Sequence, residues 1–355
     1  MNDELKKGKR VTINDIARIS GYSKTAVSFA FNDPSRISVK ACATIQRVAE
    51  ELGYYPDPLA RKFSLQRHES IGFLLPQHIH FSFQNPYIMQ VVEGIGSVCQ
   101  KYGNTLTLIP PLNESVLDAV RCAAVDGLIT QGMSVEMEIV DSIKKRKLPF
   151  VTIDGIPSVD MPSINIDDKD AAYSIMRMVL ERGHKRIAII GLAEVSYEKH
   201  APASIQRARL EGYLRALKEF DLDFSSPSVG LYTSETTLDE GKHMASMLLS
   251  GRFKPTCVVS MSDIVALGCI LQFTEQGISV PEDISVVGFD NIVESSYILP
   301  SLTTIDQPAG EKGRRAAEML FTLIRGEHLP QTHITIPHRI IERDSLSSIE
   351  EQNEN

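Results

Sequence analysis

The sequence predicts a small all-helical head joined to a larger α/β core of parallel sheets arranged as two lobes. Three observations carry this. Residues 11–52 show apolar positions at helical spacing, punctuated by cap and turn residues. From Ser70 onward, short apolar runs alternate with amphipathic stretches, the pattern of strands and covering helices. Charge also changes sign: residues 1–68 hold 12 Lys+Arg against 7 Asp+Glu, a net of +5, while the remainder carries −13 within an overall −8. A basic head on an acidic body is the footprint of a chain in which only the head meets phosphate.

In the head, Thr12 followed by Asp15 is a capping-box signal, so a helix starts near Ile13. Gly21 breaks it, since glycine tolerates the backbone angles of a sharp turn. Ser23 then caps a second helix running from Lys24 to about Phe31. On that helix Val27, Ala30 and Phe31 face inward, while Thr25, Ser28 and Phe29 point the other way with Lys24 beside them. Hydroxyls and a lysine can hydrogen-bond base edges in the major groove, and an apolar group can touch a thymine methyl. A helical hairpin with a solvated face is the other reading of the bare pattern. Ser38 caps a third helix ending near Gly53, whose Cys42, Ile45, Val48, Ala49 and Leu52 close a core. Thr12, Ser23, Asn32, Arg36 and Ser38 fall at helix ends or loops, where backbone phosphates are held or where a side chain simply caps.

Pro56 and Pro58 bracket a junction. Residues 59–66 after it are too short to form a stable helix alone. They are either a helix that forms on pairing or a plain linker. Expected strands of the core are 71–75, 105–109, 127–130, 150–153, 187–191, 257–261 and 285–289, and expected helices include 87–102, 170–182 and 208–220. A break near residues 165–170 divides two similar lobes. Ligands in such folds lie beyond the carboxyl ends of the strands, here in the cleft between lobes.

Residues 11–65 resemble the DNA-binding headpiece of the LacI/GalR family of bacterial transcription regulators. The match runs through Val11-Thr12-Ile13, Asp15-Ile16-Ala17, Gly21, Ser23, Val27-Ser28, Asn32, Glu51-Leu52-Gly53-Tyr54, Pro56 and Ala60-Arg61. Residues 70–343 resemble the periplasmic-binding-protein-like core of the same family, through Asn85-Pro86-Tyr87, Gly183-His184-Lys185-Arg186, Arg209-x-x-Gly212-Tyr213, Asp263 with Ala266-Leu267-Gly268, and the run from Asp283 to Asp290. The resemblance implies a helix-turn-helix headpiece over 1–56, a hinge helix and linker over 57–69, an effector-binding and dimerisation core over 70–343, and a polar tail over 344–355. It implies base reading by Lys24, Thr25, Ser28 and Phe29, and phosphate contacts at Thr12, Ser23, Asn32, Arg36 and Ser38. The hinge would pair across a dimer and enter the minor groove through Ala60 and Phe63. Phe63 replaces the leucine usual there, which leaves the central base step open.

For the small molecule, Arg209 and Asp290 come first. Asp290 follows the apolar strand SVVGF, so its carboxylate emerges at the strand's carboxyl end. A carboxylate and a guanidinium converging in a cleft grip adjacent hydroxyls, as on a sugar; the resemblance assigns both to effector binding, and a structural ion pair is the alternative. Asn85 and Tyr87 would supply an amide and a ring. Gln131, Asp154, Ser262 and Gln307 match lining positions by resemblance, with Ser262 standing where the family usually has asparagine. Asp263 either lines the cleft or caps the helix that follows.

No cofactor or metal is expected. Gly94-Ile95-Gly96 lacks the third glycine of a dinucleotide fingerprint and falls inside a helix. His78 and His80 have no partner at ligand spacing, and His184 reads as a helix-end residue. Cys42, Cys99, Cys122, Cys257 and Cys269 are scattered without a C-x-x-C pair, as in a reducing compartment. The polar N-terminus and the absence of a bilayer-length apolar run point to the cytoplasm. No nucleophile elbow, phosphate loop or paired-carboxylate signature suggests an enzyme. The expected function is a homodimeric transcription regulator, a repressor on a pseudo-palindromic operator, answering to a sugar or sugar derivative. A purine-type co-repressed regulator, a transporter's solute-binding protein and a nucleotide-using α/β enzyme are the alternatives.

Overall fold

The computed structural model describes residues 11–56, 67–75, 79–113, 115–132, 138–155, 161–193 and 205–349. The chain divides into two compact units, Met1–Glu69 and Ser70–Asn355.

The first unit holds α1 (Ile13–Ser20), α2 (Lys24–Asn32) and α3 (Val39–Glu51). The caps are those the sequence predicts. Thr12 and Asp15 form the capping box, Gly21 ends α1 at φ 76°, and the Ser23 and Ser38 hydroxyls accept from the amides of Ala26 and Ala41. Ile16, Val27, Ala30, Ile45, Val48 and Ala49 are buried together, which closes the three helices on one another. The hinge segment, with Ala60 and Phe63, lies outside the described residues.

The second unit contains two parallel sheets. In the first, β1 (Ser70–Leu74) lies between β2 (Thr105–Ile109) and β3 (Gly127–Gln131), followed by β4 (Phe150–Ile153), β5 (Ser163–Asn165) and β11 (His333–Thr335). Ser70 pairs with Thr105 and Ile71 with Gly127 in this register. The second sheet runs β7 (Val229–Ser234), β6 (Ile187–Leu192), β8 (Cys257–Ser260), β9 (Ser285–Val287). Beside it β10 (Thr304–Asp306) and β12 (Arg339–Ile341) form an antiparallel pair. In β6 alternate residues serve two different cores, Ile187 and Ile189 on one face, Ala188 and Ile190 on the other. Burial on both faces is what a parallel sheet covered by helices requires.

The covering helices are α4 (Ile79–Gln84), α5 (Pro86–Lys101), α6 (Val116–Cys122) and α7 (Glu138–Lys145), then α8 (Asp168–Glu181), α9 (Ile205–Lys218), α10 (Leu238–Ser250), α11 (Asp263–Glu275) and α12 (Ala309–Ile324). The chain leaves the first sheet after β5 and returns after β10 as α12, which packs on β3, β4 and β5. It returns to the second lobe between β11 and β12. Gly94 of α5 sits directly against α12, where an added Cβ would lie 2.0 Å from the Gly310 carbonyl oxygen. Gly94 of the Gly-Ile-Gly run is therefore a helix-packing residue.

Two expectations need correction. The core does not stop at residue 343. Ser345 is fully buried, donates to the Val286 carbonyl and accepts from the Thr303 amide, and Leu346 joins the apolar core. The amides of Val286 and Ile349 bond the carbonyls of Ser345 and Arg182 at 2.8 Å each. A polar segment belongs there because β9 is a sheet edge whose free backbone groups need partners. His184 is not a mere helix-end residue: its buried ring bridges the Thr256 hydroxyl and the Ser347 carbonyl. Burial there lowers its pKa.

Candidate functional site

Two regions gather the residues singled out in the sequence. On the head, Lys24 and Thr25 are exposed at the start of α2, and Ser28 and Phe29 follow, half-buried, on the next turn. The Arg36 guanidinium lies 5.3 Å from the Phe29 ring centroid and is held 2.9 Å from the Asp33 carboxylate. Because the Ser23 and Ser38 oxygens accept from amides, their hydroxyl hydrogens remain available to a phosphate oxygen. Thr12 differs, since its hydroxyl donates to Asp15 at 2.7 Å. Asn32 turns inward, its amide donating to Ser28 at 3.2 Å.

In the core, a hydrogen-bonded chain crosses from one lobe to the other at the carboxyl ends of the strands. Asp154 follows β4 directly and accepts from the Tyr87 hydroxyl and the Lys312 ammonium, both at 2.5 Å. Lys312, in the first turn of α12 and fully buried, also donates to the Gln307 side chain at 2.7 Å and the Tyr87 oxygen at 3.1 Å. Gln307 passes the chain on by donating to Asp290, which also accepts from Ser262 at 3.3 Å. Asp154, at φ 54°, and Asp290, at φ 135°, both hold backbone angles that L-residues seldom adopt, strain of the kind that gathers at ligand sites. Nearby at the same sheet edge, Gln131 Oε1, Thr130 Oγ1 and Asn165 Oδ1 are buried without a hydrogen-bond partner among the described residues. Buried acceptors left unpaired are costly, and a ligand hydroxyl would satisfy them.

The electrostatics follow from burial. Asp290 is pushed up to about 7, first by desolvation and then by the charge of Asp263. Tyr87 is raised by burial and by Asp154, which keeps its phenol protonated and donating.

The structure brings Tyr87, Asp154, Ser262, Asp290 and Gln307 into one network. Asn85 caps α5, accepting from the Tyr87 amide at 3.0 Å. Arg209 does not form the structural ion pair with Asp290 that was the alternative to a joint grip on a ligand. Its guanidinium donates to Asp168 and to the Met261 carbonyl, both at 2.8 Å, and lies 3.5 Å from the Phe289 ring centroid. Asp168 opens α8 on the neighbouring strand-to-helix turn and so reaches Arg209 first. Asp263 does not cap α11, a position Ser262 occupies. It is fully buried, and its oxygens accept from the Ile292 amide and the Ser295 and Thr304 hydroxyls.

Sequence reasoning missed Lys312 and Asp168. A signal existed for Lys312, because it shares the face of Gly313, Ala316 and Leu320, where a charge is out of place. Asp168 stands among Asp167 and Asp170 at one helix start, and nothing local distinguishes it. His80 contacts Gln84, and no metal-binding cluster of His, Cys, Asp and Glu occurs among the described residues; His78 lies outside them. No helix among those residues is long and apolar enough to cross a membrane.

The family of bacterial regulatory proteins of the lacI type matches residues 12–57, and a periplasmic binding protein-like domain matches residues 176–346. The HTH-type transcriptional repressor PurR of Pectobacterium carotovorum is 30% identical over 345 residues, spanning 95% of this chain and 97% of that one. A LacI family regulator from Enterococcus faecium, solved with bound ribose, is 27% identical with a TM-score of 0.68, over 79% of this chain and 100% of that one. The lac repressor dimer bound to operator and the anti-inducer ONPF shares the fold, at 24% identity and a TM-score of 0.78 over 96% of this chain and 100% of that one. The chain therefore belongs to the LacI family of bacterial regulatory proteins, and it is a DNA-binding transcriptional repressor whose core binds a small-molecule effector.

Proposed function

We propose that the effector is a sugar or another small polyol, held in the cleft between the two lobes, and that it alters operator affinity. The observation that carries this is the hydrogen-bonded chain Asp154–Lys312–Gln307–Asp290 joining the lobes at the strand ends. An effector hydroxyl bonded to Asp290 sits where the lobes meet, beside the Gln307 amide. The unpartnered acceptors beside Asp154 and the ribose-bound relative support a hydroxyl-rich ligand.

On DNA, Lys24, Thr25, Ser28 and Phe29 read bases from α2, while Ser23, Asn32, Arg36 and Ser38 meet phosphates; Thr12 does so by releasing the hydroxyl it gives Asp15. Ala60 and Phe63 enter the minor groove between half-sites. The working form is a homodimer on a pseudo-palindromic operator, acting in the cytoplasm. Effector binding shifts the population between two lobe arrangements, and operator affinity follows.

Asp290→Ala tests the assignment. Thermal shift over a panel of sugars and nucleosides should show stabilisation of the parent protein and none of the variant. An effector at one hundred times its dissociation constant stabilises by about 2.7 kcal/mol. DNA binding by the variant should stay within about threefold of the parent's. Joint loss of both would make Asp290 a structural group.

A further inference from the structure

The fixed charges of the cleft do not balance, and the imbalance bears on what can bind. Both cations are already committed. Lys312 spends its three N–H donors on Asp154, Tyr87 and Gln307. Arg209 is ion-paired with Asp168 at 2.8 Å and tied to the Met261 carbonyl. Two cations thus meet two carboxylates, and Asp290 is left over. Among the described residues its hydrogen-bond partners are neutral: the Gln307 amide and the Ser262 hydroxyl. Asp263 adds a second carboxylate behind it, held only by hydroxyls and amides.

We infer that the cleft selects an uncharged polyhydroxylated effector and rejects its phosphate ester or carboxylic acid. This rests on the reading of the cleft as the effector site. A neutral hydroxyl can donate to Asp290 and to the Gln131 and Asn165 oxygens, and accept from the Arg209 N–H groups not already engaged. A phosphate or carboxylate has no hydrogen to give Asp290 or the Gln131 and Asn165 oxygens, and it brings a negative charge to a site whose cations are already paired. To bind, it must either sit beside Asp290 or strip a cation from Asp154 or Asp168, exposing a buried carboxylate. In a buried setting, repulsion of this kind amounts to a penalty of about 100-fold or more in affinity.

The test is calorimetric titration of the full chain with matched sets of compounds. These are free pentoses, hexoses and nucleosides, their monophosphate esters, and the corresponding sugar acids. The expected result is binding by at least one neutral compound, with its phosphate ester about 100-fold weaker. Asp290→Asn should then narrow that ratio at least tenfold, whatever it does to absolute affinity. An ester or acid that binds as tightly as its neutral parent overturns the inference and leaves the cleft as the effector site. An unchanged ratio in Asp290→Asn overturns the assignment of selectivity to charge. If no compound of either kind binds, the polyol reading of the cleft itself fails, and the inference with it.

Discussion

Asp290 is a buried carboxyl with another carboxyl, Asp263, as its electrostatic neighbour. Burial first and Asp263 second raise its pKa to about 7, while Arg209 and the Gln307 amide pull it partway back. For an acid whose folded pKa is raised, the stabilising contribution is complete below its unfolded pKa of about 3.9 and is lost as pH rises through about 7. Asp290→Asn removes that titration. Between pH 5 and pH 8 the variant should therefore gain about 2–4 kcal/mol relative to the parent, as read by urea melts at the two pH values. Parallel stabilities at both would contradict the buried, uncompensated state of this carboxyl. The position of Asp290 was legible from SVVGF, because an apolar strand ends where its next polar residue emerges. The partner of Arg209 was not: the guanidinium goes to Asp168, one of three acidic residues at a helix start, which nothing in the sequence set beside it. Pairing between lobes depends on distances that no local spacing encodes.

At the scale of elements, legibility tracked length and periodicity. The head's helices and the apolar strands β1 to β4, β6, β8 and β9 were readable because their side-chain pattern is set by burial. The segments β5, β10, β11 and β12 span three residues each and, unlike β9 within SVVGF, lie in no longer apolar run. At the edge of its sheet, β7 alternates partly exposed positions through Gly230 and Tyr232, so its signal is weak. Residues 344–349 looked like a tail for a similar reason: they contribute hydrogen bonds to an edge, not apolar area. Helix packing yields a direct prediction. Gly94 lets α5 touch α12, which begins two residues after Gln307 and carries Lys312. Gly94→Val should destabilise the core by about 1–3 kcal/mol through overpacking. It should also weaken effector binding, because α12 cannot shift without moving Lys312. A variant with unchanged melting and unchanged ligand affinity would show that the close approach is dispensable.

At the scale of the whole molecule, the sequence divides a basic head from an acidic body, and the chain folds as two units with the boundary at Glu69 and Ser70. The division assigns phosphate contact to the head and ligand contact to the body, and the family relationship supplies the repressor activity that joins them. The central claim is that occupancy of the cleft changes affinity for operator DNA. The most direct measurement is DNA affinity of the full chain over a salt series, with and without the compound that stabilises it in the thermal panel. The expected result is a steep fall of affinity with salt, as phosphate contacts demand, and a change of at least about fivefold on adding the compound. By linkage, DNA should change the compound's affinity by the same factor. Tight effector binding with no effect on DNA affinity at any salt concentration would contradict the coupling.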